Sequence, residues 1–131
     1  MKKEIVQTSA APEALGPYNQ AVVARGMVYC SGQIAIDPAV GEVVSGGVEA
    51  QTAQVMKNLE TVLKAAGSSL AQAVKCTVYL KDMANFAAVN AVYGEHFAAD
   101  SAPARATVEV SALPLNVDVE VDCIALVSGN D

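Results

Sequence analysis

The run Val48-Glu49-Ala50-Gln51-Thr52-Ala53-Gln54-Val55-Met56-Lys57-Asn58-Leu59-Glu60-Thr61-Val62-Leu63-Lys64-Ala65-Ala66-Gly67 is followed, after a short gap, by Val74-Lys75-Cys76-Thr77-Val78-Tyr79-Leu80-Lys81. Between the two, the apolar period falls from about 3.6 residues to about 2. In the first run Val48, Thr52, Val55, Met56, Leu59, Val62, Leu63 and Ala66 lie on one stripe of a helix, and Gly67 ends it as a left-handed C-terminal cap. In the second, Val74, Cys76, Val78 and Leu80 alternate with Lys75, Thr77, Tyr79 and Lys81, the pattern of a strand with one buried face. An amphipathic helix beside a half-buried strand predicts an α+β domain.

Downstream, Asp82 is placed to cap a second helix that turns Phe86, Val89, Tyr93 and Phe97 toward the core. Gly94 inside that helix costs about 1 kcal/mol relative to alanine. A loop from Ala99 to Pro103 leads to a strand over Ala104 to Ala112, Leu113-Pro114 turns the chain, and Val117 to Val127 is the last strand. Upstream, residues 4–7 read as a short strand. Gln20 to Arg25 and Met27 to Gln33 read as two more, about an Arg25-Gly26 turn. Ile34 to Ile36 then runs into the turn Asp37-Pro38-Ala39-Val40-Gly41. The predicted order is β-β-β-α-β-α-β-β, a mixed sheet of about six strands with two helices on one face. Ala21-Val22-Val23-Ala24 is apolar on both sides, so the uncovered face predicts a homo-oligomer.

No repeat or charge block divides the 131 residues, and residues 1–131 are expected to form one domain. No stretch approaches the roughly 20 apolar residues of a membrane span. Met1-Lys2-Lys3-Glu4 places charges where a secretory signal carries an apolar block, so a cytoplasmic location is expected. Eight Lys and Arg against fourteen Asp and Glu give a net charge of -6, which opposes nucleic-acid binding. The three cysteines, Cys30, Cys76 and Cys123, form no C-x-x-C pair and read as reduced, buried thiols. A single histidine, His96, excludes a His-rich metal site and a Ser-His-Asp relay with a spare histidine. No metal and no cofactor is expected.

Two arginines exist. Arg25 precedes a turn glycine, whereas Arg105 sits among small and apolar residues in Pro103-Ala104-Arg105-Ala106-Thr107. Arg105 either pairs with a distant acid or stays free to clamp an incoming carboxylate. Asp118, Glu120 and Asp122 share one face of the last strand, either as a solvated face or with Glu120 partly buried for proton transfer. Ser31 has no histidine near it in sequence, which argues against a nucleophilic serine. Asn90 reads equally as a satisfied buried amide or as part of a site.

Gly16-Pro17-Tyr18-x-Gln20-Ala21, Ser31-Gly32-Gln33-Ile34, Gly41-Glu42, Ala65-Ala66-Gly67, Val78-Tyr79-Leu80-Lys81-Asp82, Phe86-x-x-Val89-Asn90, Pro103-Ala104-Arg105 and Leu113-Pro114 occur in this order. Together they resemble the RidA (YjgF/YER057c/UK114) family over nearly the whole chain, and the RidA subgroup most of all. The resemblance implies a chorismate-mutase-like α+β fold and a homotrimer with active sites between subunits. It implies hydrolysis of 2-iminobutanoate or 2-iminopropanoate to a 2-keto acid and ammonia. It implies that Arg105 grips the substrate carboxylate, that Ser31 orients the imine, and that Glu120 activates water and passes a proton to the departing nitrogen. Tyr18 and Asn90 would close the pocket, and the backbones of Gly32 and Thr107 would contact the substrate. Thr107 stands where relatives often carry cysteine. Two rival readings come with the resemblance: an endoribonuclease or translation inhibitor, and a non-catalytic regulator that binds small carboxylates through Arg105.

Overall fold

A strand at Val119–Leu126, β8 of the fold, is its spine, because the alternation of Val119, Val121, Cys123 and Ala125 with polar or half-buried residues lets it lie at the centre of a sheet. In the computed structural model, which describes residues 2–128, β8 pairs antiparallel with β3 (Met27–Gln33) on one side and with β6 (Ala73–Leu80) on the other. Outside β3 lie β2 (Ala21–Ala24) and then β1 (Glu4–Val6). Outside β6 lies β7 (Ala104–Glu109). Only the β6–β7 pair is parallel, which makes the six-stranded sheet mixed as predicted. The parallel pair needs a crossover, and α2 (Phe86–Gly94) supplies it.

The long helix α1 (Gly47–Ala65) buries Thr52, Val55, Met56, Asn58, Leu59, Val62 and Leu63, essentially the stripe read from the sequence. Full burial of each large apolar side chain among them contributes roughly 1.5–3 kcal/mol. Gly67 closes the helix at φ +82°: its N–H donates to the Lys64 carbonyl at 3.1 Å, and the Ser68 N–H donates to the Leu63 carbonyl at 2.8 Å. This is the two-bond cap that a left-handed residue permits. The buried Asn58 amide donates to the carbonyls of Ile34 and Ile36 at 3.1 and 2.9 Å, fastening the loop after β3 to α1.

Four details differ from the sequence reading. The segment after β3 is not a plain turn but a small separate hairpin, β4 (Ile36–Asp37) with β5 (Glu42–Val43), too short to show a period. Asp82 accepts a hydrogen bond from the Ala84 N–H at 2.9 Å, but it caps a 3-10 turn at Met83–Asn85, and α2 begins only at Phe86. Gly94 is the last residue of α2 rather than an interior one, so Phe97 lies beyond the helix, although its ring still sits 4.8 Å from that of Tyr93. Finally, β7 stops at Glu109 and β8 starts at Val119, because Pro114–Asn116 forms a 3-10 turn with Leu115 and Asn116 in left-handed backbone.

Both helices cover the same face of the sheet. Strand register places Ala21, Cys30, Cys123, Cys76 and Arg105 in one row across that covered face. The first four are buried; Arg105 stands at the edge. The opposite face leaves Ile5, Tyr29, Val108 and Leu126 exposed and has no cover among the described residues. No helix among the described residues is long and apolar enough to cross a membrane.

Candidate functional site

The sequence-predicted site residues fall into two groups, one on each face of the sheet. The first is built at a bulge in β3. Cys30 pairs with Cys123 and Gln33 with Val121, so Ser31 and Gly32 together oppose the single residue Asp122. A bulge of this kind bends a strand and re-aims its side chains. Here it brings Ser31 and Gly32 to a recess of about 330 Å³ lined by Tyr18, Ser31, Gly32, Ile34, Pro114 and Glu120. The Ser31 hydroxyl donates to the Asn19 carbonyl at 2.6 Å and the Ser31 N–H to the Gln20 carbonyl at 2.9 Å, tying the Tyr18 loop to β3. With its hydroxyl given to Asn19 and no histidine to activate it, Ser31 lacks the setting of a nucleophile.

The structure separates the three acids of β8 and its approach. The Asp118 carboxylate accepts from the Gln51 amide at 3.1 Å and lies 3.7 Å from the Lys81 ammonium. Asp122 accepts from the Tyr79 hydroxyl at 2.9 Å and from the Thr77 N–H at 3.2 Å. Among the described residues, the Glu120 carboxyl has no such partner. It is half-buried against Gly32, and burial first, with the charge of Asp122 second, holds it above its ordinary value. A carboxyl that is unpartnered, raised and facing a recess is suited to exchange a proton with a ligand or a water.

The second group sits at the edge of the covered face. Arg105 Nη1 donates to Asn90 Oδ1 at 2.6 Å, and the guanidinium carbon lies 4.9 Å from the centre of the Tyr93 ring and 5.7 Å from that of Phe86. Phe86, Asn90 and Tyr93 are spaced i, i+4 and i+7 on α2, so one helical face presents all three to Arg105. No carboxylate pairs with Arg105 among the described residues, so the paired-acid reading of its sequence does not hold within one chain. Thr107 follows two residues along the same edge strand, with its hydroxyl buried and unpartnered. Tyr93 is buried in the core as the spacing predicts, whereas Phe86 is exposed; the spacing from Phe86 through Asn90 to Tyr93 is the signal that places all three beside Arg105.

Glu120 pairs across the sheet with Tyr79, which faces away from the helices, while Arg105 lies in the helix-covered row two strands over. A single chain therefore keeps Tyr18, Ser31, Gly32 and Glu120 apart from Asn90, Arg105 and Thr107. A larger recess of about 570 Å³ under residues 6–20 shares Tyr18 but contains neither Glu120 nor Arg105. Cys30, Cys76 and Cys123 are free and buried, as read, and burial pushes the Cys30 thiol up to about 12, which keeps it unreactive. His96 is half-buried and its N–H donates to the Tyr93 carbonyl.

Comparison with known proteins adds independent findings. Residues 8–127 match the family model described as endoribonuclease L-PSP. The chain is 49% identical to the reactive intermediate deaminase A of Arabidopsis thaliana chloroplasts, over 95% of this chain and 66% of that one. It is 42% identical to the human 2-iminobutanoate/2-iminopropanoate deaminase, over 95% of this chain and 90% of the relative. Among solved structures, E. coli TdcF with bound serine superposes with a TM-score of 0.87 at 37% identity, covering 95% of this chain and 99% of TdcF. Yeast Mmf1 superposes with a TM-score of 0.91 at 41% identity, over 96% of this chain and 99% of that one.

Proposed function

The chain belongs to the endoribonuclease L-PSP family, also called YjgF/RidA, and on that footing we propose that it is a hydrolase of carbon–nitrogen bonds acting on small 2-imino acids. Its substrates are 2-iminobutanoate and 2-iminopropanoate, the reactive imines that pyridoxal-phosphate enzymes release. Its products are the 2-keto acid and ammonia. It works in the cytoplasm without metal or cofactor, as a homotrimer whose uncovered sheet faces, bearing Ile5, Tyr29 and Val108, pack inward. Each active site lies at a seam, where Asn90, Arg105 and Thr107 of one protomer meet Tyr18, Ser31, Gly32 and Glu120 of the next.

A protonated imine is already electrophilic, so the reaction needs an anchor, a directed water and a proton path rather than a covalent nucleophile. Arg105 binds the carboxylate through guanidinium donors that Asn90 does not use. Ser31, with the Gly32 and Thr107 backbones, orients the C=N group, and Tyr18 closes the pocket. Glu120 takes a proton from water as its oxygen bonds to C2. It returns that proton to the nitrogen of the tetrahedral adduct, and the C–N bond breaks. Glu120, ionised again, takes the hydroxyl proton as the C=O bond forms and passes it to the departing ammonia, so iminium and water become keto acid and ammonium.

One observation carries this reading: an arginine held by an amide and two aromatic rings, with no carboxylate partner among the described residues. The test is release of keto acid and ammonia from enzymatically generated 2-iminobutanoate, run beside RNA cleavage and 2-ketobutyrate binding on the same preparation. Acceleration by the parent chain and none by Arg105→Ala is expected. RNA cleavage without imine turnover, or keto-acid binding without it, would replace the proposal by one of its two rivals.

A further inference from the structure

Arg105 is exposed as a residue, yet its guanidinium has three partners of its own chain. Its flat group lies over Tyr93 at 4.9 Å and Phe86 at 5.7 Å, both within the roughly 6 Å reach of a cation–π contact, and Nη1 is spent on Asn90. No other lysine or arginine of the described residues has an aromatic partner of this kind. Tyr93 is itself fixed: only 6% of it is exposed, Phe97 packs on its ring at 4.8 Å, and its hydroxyl is buried without a hydrogen-bond partner. The ring is the part of Tyr93 that lies against the guanidinium, while its buried hydroxyl lies next to the Cys76 thiol.

We propose that Tyr93, seconded by Phe86, is a positioning residue that racks the guanidinium of Arg105 so that Nε and Nη2 meet the substrate carboxylate in one plane. This rests on the reading above that Arg105 is the carboxylate anchor. A long, free arginine samples many rotamers, and holding two of its donors in a fork costs conformational freedom at each binding event. A ring beneath the guanidinium prepays that ordering in the folded chain, while leaving the group desolvated on one side and open at its edge. The rack binds substrate and transition state alike, because the carboxylate does not change during hydrolysis. Its loss should appear in KM more than in kcat.

The experiment uses the whole oligomer and two readouts. The chain has only two arginines, so their Nε–H signals in an arginine-labelled NMR spectrum are assigned by Arg25→Lys, and Arg25 in its exposed turn serves as the internal reference. The Arg105 signal should lie upfield of Arg25 through the ring current of Tyr93, and Tyr93→Leu should move it toward the Arg25 position. In kinetics, Tyr93→Leu should raise KM about three- to tenfold with kcat little changed, and Tyr93→Phe should restore KM. Should Tyr93→Leu fail to fold, Phe86→Leu, at a position 39% exposed, carries the same two measurements. An Arg105 signal level with Arg25 in the parent chain overturns the rack whatever the activity. So does a shifted signal with unchanged KM in both leucine variants, or a kcat loss that Tyr93→Phe fails to rescue. If the parent chain hydrolyses no imino acid, the functional reading fails separately, and the NMR signal with the 2-ketobutyrate dissociation constant still decides the rack.

Discussion

Gly32 lies directly against the carboxyl of Glu120: a Cβ placed on Gly32 would fall 2.8 Å from Glu120 Cδ and 3.0 Å from its Cγ, with an oxygen closer still. The glycine is not needed for its backbone, since its φ is not left-handed. It is needed for space. Gly32→Ala should therefore fold, because the obstructing atoms are the end of a flexible side chain that can swing away. It should also displace the one acid that faces the recess. We expect a melting temperature near that of the parent and a fall of about a hundredfold in kcat/KM. Parent-like turnover in this variant would detach Glu120 from the chemistry.

Arg105 contributes little to packing on its exposed edge, so Arg105→Ala should leave the oligomer intact by size-exclusion chromatography. It should lower kcat/KM by about a hundredfold or more, the loss of two charge-assisted hydrogen bonds to a carboxylate. Arg105→Lys should recover only a fraction of this, because an ammonium offers no planar fork. Full recovery with lysine would show that charge alone suffices.

Glu120→Gln tests the proton path through pH. Burial, and then Asp122, raises the carboxyl above its ordinary value. Such a group binds more protons folded than unfolded between its two values. Its contribution to stability is complete below the ordinary glutamate range and is lost as pH rises through the folded value. At neutral pH Glu120→Gln should therefore melt higher than the parent, and the difference should vanish below about pH 4. Its turnover should fall about a hundredfold or more, and the acidic limb of the parent rate profile, where Glu120 becomes protonated, should disappear. Melting curves and rates measured on the same two proteins across pH check both signs.

Arg105 and Glu120 lie on opposite faces of one sheet, so an active site that uses both must draw them from different protomers. Arg105→Ala and Glu120→Gln, each inactive alone, should regain about a quarter of parent activity when denatured together at equal amounts and refolded. That is the share of seams pairing an intact arginine with an intact glutamate in a cyclic oligomer. No recovery, with mixed oligomers shown by mass spectrometry, would put both residues of a site on one chain.

Most of the fold was legible in the chain itself. The stripe from Val48 to Ala66 and the alternation of Cys76, Val78 and Leu80 are repeated signals, each position reinforcing the next, and Gly67 marks a helix end by a backbone need that few other residues meet. The β4–β5 hairpin escaped because two-residue strands have no period. The 3-10 turns escaped because only backbone geometry distinguishes them from loops. At the site, the residues taken singly left their roles open, and it was the resemblance to the RidA family that nominated Tyr18, Ser31, Asn90, Arg105 and Glu120. Sequence order and spacing could not say which acid of Asp118, Glu120 and Asp122 is free, since three carboxylates at period two look alike until their partners are known.

The amino-acid sequence by itself determined both helices, the six main strands, their order and the uncovered apolar face, because these depend on short-range periods and on the solubility of individual side chains. Tertiary structure alone decided that Gln51 and Lys81 occupy Asp118, that Tyr79 occupies Asp122, and that Phe86 and Tyr93 hold Arg105. It also decided that Arg105 and Glu120 sit on opposite faces of the sheet. Those relationships join residues distant along the chain, and only the register of six strands brings them within a hydrogen bond of one another or keeps them apart.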